Sequence, residues 1–158
     1  MIEIDRLNRL AKSLKNYGFN STHDGEQTHP FDERNIHLRV SLASKPLFDD
    51  GHFSQAVFEA FKLVDKDVEK VSGLTETGRA LMSKAFAQSK PVVKLTKLST
   101  LSEINIQEGF KFIYMGAITG IRNPRGHDVG HKDTIEDCLD YLVLASILLQ
   151  RLDERVAP

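Results

Sequence analysis

The chain has 158 residues, enough for one domain with a proper core, and its 41% hydrophobic and 27% charged content excludes a disordered tail or a fibrous repeat. Its one cysteine, Cys138, excludes an internal disulfide and an all-thiolate metal cluster, and suits a reducing cytosol. A net charge of −1 argues against indiscriminate binding to nucleic acid.

Charge is unevenly placed along the chain. Residues 77–132 hold nine Lys/Arg against three acids, and Thr77 to Ser102 contains no acid at all. Such polarity lets one face attract a polyanion while the whole stays soluble, although a solvated lysine-rich surface gives the same pattern. The N-terminus, MIEIDRLNRLAKSLKNYG, has charges every few residues and is unlike a signal peptide. The longest apolar run, Tyr141 to Leu149, is too short to span a bilayer. A cytoplasmic protein with no membrane segment is expected.

In chain order, Ile4, Leu7, Leu10, Ala11 and Leu14 suggest a short amphipathic helix, and Gly18 to Pro30 reads as a loop. A helix over about Glu33 to Phe48 should kink or end near Pro46; the only strand-like alternation, a weak one, is at His37 to Leu42. Phe53, Ala56, Val57, Ala60, Phe61, Val64, Val68 and Val71 have helical spacing, with Gly51 at the start and Gly73 at the end. Further helices are predicted over Thr77 to about Gln88, over Ser102 to Ile121 with Ser102 or Asn105 as cap, and over Asp133 to Leu152. Asp133 and Glu136 have capping-box spacing in the last of these. The expected fold is therefore all-α: a bundle of four to five helices over 37–158, preceded by an extension of helix and loop over 1–36.

Few residues suggest chemistry. There is no phosphate-binding Gly-rich loop, no G-x-S-x-G and no H-E-x-x-H. His23, His29 and His37, with Asp24, Asp32 and Glu33, match no common metal spacing, so no metal or cofactor is expected. Cys138 lies mid-helix in an apolar pattern and reads as a buried small hydrophobe.

What remains is Arg122 followed five residues later by His127, at the junction of the last two helices. Pro124 should block simple helical continuation, and Gly126 frees the backbone before the histidine. RNA cleavage without metal needs a proton-transfer group and a cation for the phosphorane. Histidine and arginine supply those two parts. An Arg and a His at a helix end can equally bond free carbonyls or pair with Asp128. Gly116 and Gly120, one turn apart and preceded by Gly109, suit a close helix contact within or between chains. His52, at the start of the long helix, is a candidate second titratable group near the site, or simply a cap.

The stretches LFDDGHFSQAVFEAFKLVDKDVEKVS (47–72), GRALMSKAF (78–86) and GAITGIRNPRGH (116–127) together resemble the HEPN superfamily, and within it the phage-associated group called Ymh. The resemblance covers about residues 37–152. It implies a bundle of four or five helices and a signature of Arg, four to six residues beginning with a polar one, then His. Arg122, Asn123 and His127 fill those positions. It further implies a homodimer in which two copies of the motif share one cleft and cut RNA, leaving a 2′,3′-cyclic phosphate, in toxin–antitoxin, abortive-infection or CRISPR settings with a possible cognate antitoxin. Arg122 would stabilise the phosphorane, His127 move protons or orient the 2′-OH, and Asn123 position the phosphate or the arginine. Arg125, Lys132, Lys94 and Lys97 would hold the RNA backbone. The sequence departs from the branch silenced by AMP addition, because Val129 stands where that branch has tyrosine. Some superfamily members keep the fold only for dimerisation or for binding a partner protein or nucleotide.

Overall fold

A computed structural model describes residues 28–128 and 130–157, and every regular element among them is helical. The helix expected over residues 4–14, most of the following loop, and His23 and Asp24 lie outside the described residues. The first described helix, α1 (Pro30–Glu33), is a single turn capped by His29, whose Nδ1 accepts the Phe31 amide at 3.1 Å. The helix predicted over 33–48 is interrupted here, because Asn35 takes a left-handed φ of 52°. Its remainder, α2 (Leu38–Asp49), is capped by His37, whose Nδ1 accepts the Arg39 amide at 3.2 Å. Pro46 lies inside α2 and does not end it. The weak alternation at 37–42 becomes the first turn of this helix.

Gly51, at φ 79°, turns the chain into α3 (Phe53–Ser72), which ends at Gly73 in the left-handed region. The next helix, α4 (Gly78–Ala85), is shorter than its periodicity predicts. The chain folds back so that the Val93 amide reaches the Ala85 carbonyl at 2.8 Å, and Ala80 is exposed. Then α5 (Leu101–Ala117) starts one residue earlier than expected. Thr100, not Ser102 or Asn105, caps it by accepting the Glu103 amide. A wide π turn (Ile118–Arg122) and a short α6 (Asn123–His127) continue the same helical path. Finally α7 (Ile135–Asp153) begins with a capping box between Thr134 and Asp137, one residue beyond the predicted Asp133–Glu136 pair. Two overlapping acid spacings compete in this segment, and the hydroxyl wins the cap because Asp133 is engaged elsewhere.

The helices form a bundle around α3 and α7, packed over Val57, Phe61, Val64, Leu142 and Leu149. Fully burying each such side chain contributes roughly 1.5–3 kcal/mol. Phe31 and Ile36, in the segment expected to precede the domain, belong to this core. Phe86 stacks on Tyr114 with ring centroids 4.4 Å apart, and the Tyr114 hydroxyl donates to the Leu148 carbonyl at 2.6 Å, tying α5 to α7. No helix among the described residues is long and apolar enough to cross a membrane.

Gln107 holds the irregular stretch between α4 and α5. Fully buried, it accepts the Leu95 amide at 2.8 Å and donates to the Val93 carbonyl at 2.9 Å, imitating a strand partner. Gln107→Leu would leave both backbone groups without a partner. It is expected to cost about 2–3 kcal/mol, read as a lower denaturation midpoint in urea at unchanged slope.

Candidate functional site

The R-x4-H segment owes its shape to Pro124. Proline offers no N–H to the carbonyl four residues back, and its ring would crowd it. The chain widens just before it, so that the Asn123 amide bonds the Ile118 carbonyl five residues back. Pro124 therefore does not break the helix, as the sequence suggested. It is accommodated by the π turn, and the backbone stays helical through His127.

That continuity decides which side chains share a face. Positions five apart on an α-helix are rotated by about 140° and separated by about 7.5 Å along the axis, so Arg122 and His127 do not stand above one another. Positions four apart do. Asn123 and His127 therefore share one face, and Arg122 shares another with Gly126. The two faces are joined by a hydrogen bond from Arg122 Nη1 to Asn123 Oδ1 at 3.3 Å. His127 is exposed.

The Arg122–Gly126 face lies against α3. A Cβ on Gly126 would come within 2.8 Å of the Phe58 ring, so only glycine permits this approach without displacing the ring. The Arg122 guanidinium lies over the same ring at 5.6 Å. Two turns further along α3, Asp65 is buried and accepts the Gly78 amide at 3.2 Å. Burial raises its carboxyl above the ordinary value, against the charge of Arg122 and the hydrogen bond from Gly78. Arg122 Nε is buried without a hydrogen-bond partner among the described residues. Phe58 and Asp65 are thus members of the site that sequence reading did not single out. Their signals were an aromatic off the apolar stripe of α3 and an acid on it.

Arg125 was expected to hold RNA. The structure places it inside instead: its side chain is 3% exposed and that of Asp133 is 4% exposed. Nε donates to Asp133 Oδ2 at 2.7 Å, Nη2 to Oδ1, and Nη1 to the Ile121 carbonyl at 2.7 Å. The guanidinium also stacks 4.5 Å from the Tyr141 ring centre. With its donors so engaged, Arg125 fastens the motif to the start of α7 and leaves the set of backbone-binding candidates. Burial alone would raise the Asp133 carboxyl. The Arg125 and Ser54 hydrogen bonds, with the charges of Arg125 and His131, hold it below the ordinary carboxylate range instead.

The remaining candidates are dispersed. Lys132 is exposed and lines a cleft beside the motif together with His52, so those two are brought to the site. Lys94 and Lys97 are exposed, but their segment is pinned to Gln107 through Leu95. Fifteen residues of helical path separate Gln107 from Arg122, about 22 Å at the α-helical rise. Gly109, Gly116 and Gly120 face open space, beside the exposed Phe112 (57%) and Ile113 (42%).

His29 and His37 serve as caps, and their other ring nitrogens meet Asp49 and Asp153. Among the described residues no three His, Cys, Asp or Glu side chains are grouped to hold a metal ion. Cys138 is buried, and burial pushes its thiol up to about 12. It should stay unreactive toward a thiol-specific reagent at pH 8 in the folded protein and react at once in denaturant.

Neither a curated protein nor a solved structure matches the chain. One family model does, described as "Protein of unknown function (Hypoth_ymh)", over residues 34–152, from the break after α1 to the end of α7. The chain, with its Arg122–His127 segment inside the matched region, therefore belongs to the Hypoth_ymh family.

Proposed function

We propose that this chain is one subunit of a homodimeric, metal-independent endoribonuclease of HEPN type, in which Arg122, Asn123 and His127 form half of a composite site. The observation that carries this reading is the state of the two charged groups. Arg122 is held by Phe58 and Asn123 with its Nε unpaired, and His127 stands exposed on the face that Asn123 shares. A purely structural pair would satisfy each other or nearby carbonyls; Arg125 does so, and this pair does not.

In the reaction, the ribose 2′-oxygen attacks phosphorus and the bond to the 5′-oxygen breaks, leaving a 2′,3′-cyclic phosphate and a 5′-hydroxyl. One imidazole takes the 2′-OH proton while a second gives a proton to the leaving oxygen. Arg122 carries the charge that builds on the phosphorane oxygens. One chain has a single imidazole in the motif, and a second copy supplies the other. The exposed face of α5, with Phe112, Ile113 and the unobstructed glycines, leads into the motif and suits that contact. Lys132 adds a backbone contact beside the motif; Lys94 and Lys97 would touch only a strand long enough to reach them. A toxin–antitoxin or antiphage setting fits such an enzyme.

Total RNA incubated with the purified protein in EDTA tests the reading. Wild type should fragment it into pieces with cyclic phosphate ends and His127→Ala should not. Identical patterns would leave the rival, a non-catalytic dimeric module that binds a partner protein or nucleotide.

A further inference from the structure

Of the side chains lining the cleft beside the motif, the reading above uses only Lys132. The cleft has a volume of about 540 Å³ between the start of α3 and the turn after α6. His52 and Gln55 form one wall, and Asp128, His131 and Lys132 the other. Asp133, also lining it, is neutralised by its two hydrogen bonds with Arg125. Asp128 is the other carboxylate there, and it accepts the Gly130 amide at 2.9 Å. Against it stand the Lys132 ammonium and two imidazoles. His52 occupies the cap position of α3 without bonding its backbone, and His131 Nε2, buried without a hydrogen bond among the described residues, stands 3.5 Å from Asp133 Oδ1. A cation and two imidazoles lining one cleft fit an oxyanion. The cleft also adjoins the motif directly, since Gly126 and Asp128, the two neighbours of His127, line it while His127 does not.

We propose that this cleft is a second phosphate subsite, in which His52, His131 and Lys132 hold a backbone phosphate of the strand whose scissile phosphate lies at Arg122 and His127. The assignment rests on the RNA-cleaving reading and makes a claim of its own. Binding at a phosphate remote from the chemistry fixes the register of the strand, so an oligomer should be cut in preference to a dinucleotide that cannot fill both places.

The test separates binding from cleavage by using cleavage-deficient His127→Ala as parent and a fluorescein-labelled uridine decamer in EDTA, read by anisotropy across a salt series. Adding His52→Gln and Lys132→Gln together should weaken binding roughly tenfold at 0.15 M salt, and reduce the slope of log Kd against log salt by about one. The melting temperature should not move, because neither side chain supports the fold. Titration of the parent with inorganic phosphate should shift the His52 and His131 imidazole resonances before those of His29 and His37. Unchanged affinity and slope in the double variant would overturn the subsite and leave the cleavage reading standing. A parent that binds no decamer would overturn it too. If wild type cuts no RNA while the double variant still loses binding, the cleavage reading falls and the subsite survives.

Discussion

Asp133→Ala is expected to destabilise the chain by about 3–5 kcal/mol, the usual cost of leaving one partner of a buried ion pair uncompensated. The reason is local and complete. Both side chains are almost fully enclosed, two parallel hydrogen bonds join them, and the third guanidinium branch is committed to the Ile121 carbonyl. The Asp133 amide is in turn tied to Ser54 Oγ at 2.8 Å, so the pair links α3, α6 and α7 at one point. Removing the carboxylate leaves an almost fully enclosed guanidinium without its charge partner. Replacing both partners with apolar residues, as in Arg125→Met with Asp133→Leu, should recover most of the loss. Urea denaturation of the two single variants and the double variant measures the coupling directly.

The same pair sets an acid limit. Because the Asp133 carboxyl is held below its ordinary value in the folded state, its contribution is fully present above the unfolded carboxylate value of about 3.9 and disappears as pH falls through the lower folded value. Asp153 behaves alike, since His37 and Arg39 more than offset the effect of its burial. Stability should therefore fall below about pH 4 in wild type, and less steeply in the Arg125→Met, Asp133→Leu variant.

Much of the bundle was legible because apolar spacing on α3, α5 and α7 is regular and long. The element ends were not. Thr134 displaced Asp133 as the cap of α7 because Asp133 belongs to Arg125, a partner visible only in three dimensions. The break at Asn35 left no strong mark, since asparagine tolerates the left-handed region without announcing it. At the site, spacing located Arg122 and His127 but could not divide the basic residues by role. Arg125 and Lys132 are alike in a one-dimensional charge count, yet one is enclosed and the other free. Phe58 was passed over because it stands off the apolar stripe, which is also why it is available to Arg122.

His127→Ala should lower the rate of RNA cleavage by roughly 10²–10⁴, the range that a positioned proton-transfer group supplies, with little change in melting temperature because the side chain is exposed. Arg122→Ala should lower it by about 10²–10³, as loss of a donor to the transition-state oxyanion does. Arg122→Lys separates position from charge. Lysine keeps the cation over Phe58 but lacks the fork that reaches Asn123 and leaves a further donor for phosphate. If the guanidinium acts through that geometry, lysine should fall near alanine; if charge alone matters, it should approach wild type. Mixing the inactive Arg122→Ala and His127→Ala proteins goes further. In a site shared between copies, the mixed dimer holds one imidazole and one guanidinium where each variant alone lacks one kind entirely, so the mixture should regain part of the activity, short of wild type because the second imidazole is still missing. A site complete within one chain would regain none, and the homodimeric arrangement would then have to be given up even if wild type cuts RNA.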